Sequence, residues 1–291
     1  MIWDFPYDSP LAIIELLERE GLAMSKKFGQ NFLISTSILQ RIASSMEPLQ
    51  GATLWEIGPG LGALTKELLL GGAIVTAFEI DYGFCRILRN DAFPGEPQFT
   101  LIEGDALKTW IPVFEKEGTP DAICGNLPYN VGSICLAHFL ENQCLPPVMV
   151  FTLQKEVADR LRAHEGSKAW SPLSILAQID YQVEQLFTIK GGAFFPPPQV
   201  ESSVVKLTKR AAPLVASSER ALFLQVVNDL FTQRRKTVRN NLLQGKAGAQ
   251  YGKEGVLHAL SQAFIAESER AEQLSLEQLV LLSQKFSELR I

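Results

Sequence analysis

Short apolar runs alternate with amphipathic stretches through the first half of the chain. Residues 54–57, 73–80, 99–102, 121–125 and 149–153 are apolar runs of strand length, and residues 63–70 are the clearest of the helix-like stretches between them. Such alternation predicts βαβ units on a parallel sheet. Ahead of it, residues 11–20 put Leu11, Ile14, Leu16 and Leu17 on one helical stripe that Gly21 ends, and residues 37–45 predict a second helix. Residues 155–163 are helix-like, with Glu156 and Arg160 spaced for an i,i+4 pair. The β-branched runs 181–189 and 203–208 flank a Pro-rich turn and predict the last hairpin of the sheet. Ala211-Ala212-Pro213 marks a boundary. Beyond it, residues 220–231, 237–243, 256–264 and 276–286 have helical patterns, and no strand signal remains. The expected organisation is an α/β domain over residues 1–210 and a small all-helical domain over residues 211–291.

The chemistry-bearing residues fall at the ends of these strands. Asn126-Leu127-Pro128-Tyr129 directly follows the run 121–125, and open α/β sheets place their ligand sites beyond the carboxyl ends of strands. The Asn126 amide offers a neutral acceptor. Pro128 lacks an N–H and stiffens the turn beside the Leu127 carbonyl. Tyr129 offers a flat face. The set suits an exocyclic amine on a planar ring, with two acceptors for the amine and a stacking surface for the base. An Asn-Pro turn that merely closes a strand is the plainer alternative.

Residues 54–65 run strand, Gly-rich turn, helix, with glycines at 58, 60 and 62. That spacing is G-x-G-x-G, not the G-x-G-x-x-G of a pyrophosphate cradle. It disfavours a nicotinamide-dependent oxidoreductase and is compatible with a loop pressed against the amino-acid end of a nucleoside ligand. Glu79 ends the next strand about twenty residues on, the offset of an acid that binds ribose hydroxyls. Asp81 would start the turn or helix that follows. The third strand runs into Gly104-Asp105-Ala106, where Asp105 would accept from an adenine amine. Each acid alone also fits a surface or capping role, but three polar strand ends in register are hard to assign to chance.

These residues resemble class I (Rossmann-like) S-adenosylmethionine-dependent methyltransferases. Within that class, Lys27-Phe28-Gly29-Gln30-Asn31-Phe32-Leu33, the glycine turn, Gly104-Asp105-Ala106-Leu107 and Asn126-Leu127-Pro128-Tyr129-Asn130 are similar to the rRNA adenine N6,N6-dimethyltransferase family. So are residues 153–161, 192–198 and 233–242. The likeness spans about residues 24–243 and is closest to the small-subunit (16S) branch. It implies an enzyme that dimethylates N6 of two adjacent adenines near the 3′ end of that rRNA, with S-adenosyl-L-methionine as cofactor. It also implies that Asn31, Leu33 and Gly60 lie near the cofactor, Gly58 beside its methionine part, Glu79 on the ribose and Asp105 at the adenine amine. Asn126 then serves both cofactor and base, and Phe194 joins Tyr129 in stacking on the target base. Gln199 and Glu201 depart from a more usual Lys and Asp, which weakens one expected RNA contact. The resistance-type large-subunit (23S) methyltransferase and a non-catalytic ribosome-assembly protein on the same fold remain alternatives.

Charge qualifies this expectation. The 291-residue chain carries a formal net charge of −5, an objection to an RNA enzyme because phosphate contacts favour a basic field. Residues 190–253, however, hold eleven basic residues against three acids, a net +8, which leaves −13 for the remainder. An acidic body with a basic rim is therefore expected, with Arg234, Arg235, Lys236 and Arg239 as RNA-binding candidates beside the alternative of a solvated helix face. The four cysteines show no C-x-x-C pairing and the three histidines no metal motif, so reduced thiols and no metal are expected. No secretory leader or membrane span is evident. The expectation is a cytoplasmic monomer that partners with the small ribosomal subunit.

Overall fold

The computed structural model describes residues 2–22, 31–128 and 132–289. The chain divides into two compact units, Met1–Ala158 with Val183–Lys209 and Asp159–Gln182 with Arg210–Ile291. In chain order the elements begin with α1 (Pro10–Arg19), β1 (Phe32–Leu33), α2 (Thr36–Ser44), β2 (Thr53–Ile57), α3 (Ala63–Leu70), β3 (Ile74–Glu79) and α4 (Tyr82–Ile87). There follow β4 (Phe99–Glu103), α5 (Ala106–Glu117), β5 (Ala122–Asn126), α6 (Gly132–Glu141), β6 (Val148–Gln154), α7 (Lys155–Leu161), α8 (Pro172–Gln178) and β7 (Tyr181–Ile189). The last are β8 (Phe194–Phe195), β9 (Ser202–Lys209), α9 (Arg220–Phe231), α10 (Val238–Gln244), α11 (Lys246–Gln262) and α12 (Leu276–Glu288).

Seven strands form one sheet in the order β4-β3-β2-β5-β6-β9-β7. β2 pairs in parallel with both β3 and β5, β4 extends the parallel set beyond β3, and β6 extends it beyond β5. β9 is antiparallel to β6. The chain thus winds outward from β2 to β4, then returns to start β5 on the other side of β2. That reversal leaves a crevice at the carboxyl ends of β2 and β5, the usual place for a ligand in an open sheet.

The inner parallel strands β2, β5 and β6 are buried on both faces, which explains their continuous apolar runs, whereas the edge strand β4 is partly exposed. Leu54, Val75, Cys124, Val150 and Val204 pack with Leu39, Ile42, Leu64, Leu68 and Phe194. Trp55 alternates to the opposite side, where its ring meets Phe78 at 5.5 Å and Trp110 at 6.3 Å. His138 accepts from Trp110 Nε1 at 3.0 Å and serves packing there. Helix starts carry local caps: Ser9 for α1, Asp81 for α4 and Asp105 for α5. All four cysteines are free and buried. No described helix is long and apolar enough to cross a membrane.

The second unit corrects the expected boundary at residue 210. Residues 159–182 belong with the helices, because Trp170, Ile175 and Ile179 bury against Val215, Phe223, Val226, Leu230 and Leu274. Trp170 Nε1 donates to the Leu274 carbonyl at 3.1 Å. Arg220 and Asp180, both nearly inaccessible, meet at 2.7 Å. The helix expected over 256–264 starts earlier, at Lys246, and kinks at Gly252, where φ is 67°.

A buried ion pair costs much more to break than it contributes intact. Asp180→Ala should therefore lower the unfolding free energy by about 3–5 kcal/mol, whereas the double change Asp180→Leu, Arg220→Met should recover most of it. Urea denaturation of the two variants checks this, and a single-variant loss below about 1 kcal/mol would contradict the buried pairing.

Candidate functional site

Four strand ends converge on one cavity. It is lined by Gly58, Pro59 and Gly60 after β2, Glu79 and Ile80 at the end of β3, Gly104 and Asp105 after β4, and Asn126, Leu127 and Pro128 after β5. Asn31, Phe32 and Leu33 close another side, and Tyr7 and Ile13 reach in from the N-terminal segment. Every residue expected at the cofactor (Asn31, Leu33, Gly58, Gly60, Glu79, Asp105 and Asn126) is therefore gathered in one place. Sheet register explains why. Ile57 lies opposite Phe78, Glu79 opposite Glu103, and Glu56 opposite Cys124, so the strands end level with one another.

The glycine turn needs glycine. Gly58, Gly60 and Gly62 take φ of 67°, 58° and 90°, values that side chains rarely adopt. A Cβ on Gly58 would meet nothing within 4 Å, so the turn leaves open space there for a ligand. A Cβ on Gly62 would sit 2.7 Å from the Phe93 ring, so that glycine serves close packing. Gly60 N–H donates to Glu79 Oε2 at 3.0 Å, and Asp81 N–H to Glu79 Oε1 at 2.9 Å. Glu79 thus ties the turn to β3 while it lines the cavity. Asp105 plays a similar double part. Its Oδ1 caps α5 through Leu107 N–H at 3.0 Å, yet the residue still faces the cavity. The set fits a nucleoside ligand: acceptors for hydroxyls and an amine, an open glycine turn, and the apolar Ile80 and Leu107 alongside.

Asn126 Nδ2 donates to the Asn31 carbonyl at 2.9 Å. This bond fixes the amide's orientation: one N–H is held by that carbonyl and the oxygen end is left to accept. Leu127 N–H donates to the Thr152 carbonyl at 3.1 Å, and the Pro128 carbonyl accepts from Gly132 N–H at 3.0 Å, so the turn is held on both flanks. Tyr129 and Asn130 lie outside the described residues. Phe194 corrects an expectation. It pairs with Leu33 across the short β1–β8 ribbon and is only 2% exposed, packed into the sheet's core. It does not line the cavity and has no free face for a base as placed; an adjacent Phe-Phe pair must bury one ring, and that ring is Phe194.

Among the lining residues that the sequence did not single out, Glu56 and Tyr7 carry ionisable side chains. Glu56 interrupts an apolar strand just before the first glycine, a signal that was legible. Tyr7 bonds the Leu61 carbonyl 54 residues away, and nothing local marks it. Of the basic candidates, Arg234 is bound to the Lys168 carbonyl at 2.9 Å and faces Glu272 at 3.4 Å, and Arg239 pairs with Glu267 at 3.3 Å. Arg235 and Lys236 are exposed and form no ion pair among the described residues. Asn241 Nδ2 holds the turn that bears them, donating to Leu230 O at 2.6 Å and Gln233 O at 3.1 Å.

Burial dominates the electrostatics. Glu56 is held by the Thr65 hydroxyl at 2.5 Å, but desolvation, with Glu79 nearby, pushes its pKa up from 4.5 to about 7. Burial likewise lifts Glu79 to about 7, against its backbone hydrogen bonds. The folded state therefore holds these protons more tightly than the unfolded chain. Their contribution to stability is full below about pH 4.5 and is lost as pH rises through about 7. Glu56→Gln removes one such group and keeps an acceptor for Thr65. Between pH 5 and pH 8 its unfolding free energy should gain on the wild type by up to about 3 kcal/mol. Denaturant titrations at the two pH values measure the gap, and a constant gap would contradict a protonation-linked Glu56.

Comparison with known proteins agrees with this geometry. A family model described as "Ribosomal RNA adenine dimethylase" matches residues 21–288. A Treponema denticola protein named ribosomal RNA small subunit methyltransferase A is 41% identical over 278 residues, covering 95% of this chain and 94% of that one. A Bacillus licheniformis protein of the same name is 37% identical over 284 residues, 96% and 97% of the two chains. Among solved structures, a dimethyladenosine transferase from Plasmodium falciparum has a TM-score of 0.75 at 22% identity, over 87% of this chain and 96% of that one, a likeness of fold. The 23S rRNA methyltransferase ErmE has a TM-score of 0.66 at 25% identity, over 88% and 99%. The expected class I methyltransferase fold is thus the one present. With the family match running through every strand end that lines the cavity, the chain belongs to the ribosomal RNA adenine dimethylase family.

Proposed function

We propose that this protein dimethylates N6 of two adjacent adenines near the 3′ end of small-subunit rRNA, acting on the small ribosomal subunit or its precursor. As a family member it is an S-adenosyl-L-methionine-dependent rRNA adenine dimethyltransferase. The observation that carries the mechanism is the Asn126 amide with one N–H held by the Asn31 carbonyl and its oxygen end left to accept. The small-subunit assignment is supported by relatives of that name at 37–41% identity over nearly the whole chain. The 23S enzyme is the second reading, favoured only by its fold and 25% identity.

An adenine N6 amine is a poor nucleophile, because its lone pair is delocalised into the ring. Bound S-adenosyl-L-methionine supplies a methyl already activated by its sulfonium. The protein's task is therefore alignment. Asn31, Leu33, Gly58, Gly60, Glu79 and Asp105 hold the cofactor. Asn126 Oδ1 and the Leu127 carbonyl accept the two N6 hydrogens, which turns the nitrogen lone pair out of conjugation and toward the methyl. Their dipoles also stabilise the positive charge that develops on nitrogen. The resulting aminium is a strong acid and releases its proton without a dedicated base. Tyr129 supplies a stacking face for the base, as aromatic residues do for unstacked nucleotides. In the helical unit, Arg235 and Lys236 bind phosphate while Arg234 and Arg239 brace the turn through their acidic partners.

Asn126→Ala should lower kcat at least about 100-fold while the cofactor dissociation constant moves much less, since the change removes an acceptor made for the amine. Single-turnover methylation and calorimetric titration separate the two effects, and a wild-type rate would sink the assignment. The substrate is tested with tritiated S-adenosyl-L-methionine, purified small subunits that lack the modification, and large subunits alongside. Dimethyladenosine confined to small-subunit rRNA is expected. Labelling confined to the large subunit would overturn the proposal in favour of the second reading.

A further inference from the structure

The first twenty residues precede the family match, which begins at residue 21, yet they form part of the cavity wall. Trp3, Phe5 and Tyr7 form an aromatic cluster, with ring centroids 4.4 Å apart for the tilted Trp3–Phe5 pair and 5.1 Å for the edge-on Phe5–Tyr7 pair. Trp3 N–H donates to the Ala92 carbonyl at 2.8 Å, which anchors the arm. Behind it α1 buries Ile13, Leu16 and Leu17 against Leu61, Phe84 and Ile87. Tyr7 thereby reaches the glycine turn, and its hydroxyl donates to the Leu61 carbonyl at 2.9 Å in a buried setting.

That bond acts where the turn has least intrinsic rigidity. Three glycines at positive φ surround Leu61, and glycine loses more conformational freedom on ordering than any other residue. The turn's other tethers are Gly58 N–H to the Phe78 carbonyl at 2.9 Å, Gly60 N–H to Glu79, and Gly62 N–H to the Pro59 carbonyl at 2.9 Å. The Gly62 bond closes the turn on itself, and the Tyr7 bond holds the Leu61 carbonyl at its tip from outside the turn. Burial, and next the Glu56 charge, raises the Tyr7 pKa well beyond its usual range, so the hydroxyl keeps its proton and stays a donor. Lys66 sits over the ring, 5.8 Å from its centroid, and also pairs with Asp4 at 3.5 Å, so α3 is tied to the same arm.

We propose that Tyr7 is a positioning residue for the cofactor: by holding the Leu61 carbonyl, it fixes the Gly58–Gly62 turn in the shape that receives S-adenosyl-L-methionine. The proposal rests on that cofactor assignment. Tyr7→Phe removes the hydroxyl alone and keeps the aromatic cluster, so the variant should fold. In the cofactor-free variant, amide hydrogens of residues 58–64 should exchange faster than in the wild type. Its dissociation constant for S-adenosyl-L-methionine, measured by calorimetry, should rise about fivefold, the net worth of about one hydrogen bond. KM for the cofactor should rise by a larger factor than kcat falls. Unchanged exchange over residues 58–64 together with a dissociation constant within about 1.5-fold of wild type, well below the expected rise, would overturn the proposal alone. A wild-type chain that bound no cofactor would overturn the cofactor assignment and this proposal with it.

Discussion

The hydrogen bond from Asn126 Nδ2 to the Asn31 carbonyl joins residues 95 positions apart and decides what the β5 strand end can do. A free Asn amide presents donor and acceptor interchangeably. Once one of its N–H groups is held by that carbonyl, the amide's orientation is set and its oxygen is left to accept, next to a second acceptor in the Leu127 carbonyl. Several features of the fold hold that strand end in place. The reversal of strand order at β2 and β5 opens the crevice. The ladder continues past β5 through Leu127 N–H to Thr152. Gly125 lets β5 approach β2 so closely that a Cβ there would lie 2.4 Å from the Ile57 carbonyl.

The acids of the site follow the same economy. Glu79 and Asp105 each hold backbone N–H groups of their own surroundings and line the cavity as well. Groups used twice in this way are pre-organised before any ligand arrives. The cost is burial of carboxyls, visible in the upward pKa shifts of Glu56 and Glu79. Charge on the helical unit is divided similarly. Glu267 and Glu272 pair with two of the four basic residues and leave Arg235 and Lys236 exposed without an ion pair among the described residues, so a chain of net negative charge can still present a local basic patch.

Much of the sheet was legible in the sequence because its inner parallel strands, buried on two faces, are largely apolar, and β3, β4, β5 and β6 end in polar residues. Gly58, Gly60, Glu79, Asp105 and Asn126, which line the cavity, were legible for a related reason, standing at or just beyond strand ends. The inclusion of residues 159–182 in the helical unit was not, because a short helix opened by Ser171-Pro172 carries no long-range signal, and only its burial against later helices assigns it. The burial of Phe194 was not legible because sequence does not say which of two adjacent aromatics turns inward. Tyr7 was missed because its partner is a backbone carbonyl, which has no sequence signature.

The most direct test of the acceptor pair is a crystal structure with S-adenosylhomocysteine and a short RNA bearing the target adenines. The account predicts that Asn126 Oδ1 and the Leu127 carbonyl each lie about 3 Å from the adenine N6, with Asn126 Nδ2 still on the Asn31 carbonyl. An Asn126 turned away from the base, or one whose bond to Asn31 is broken in the complex, would contradict it.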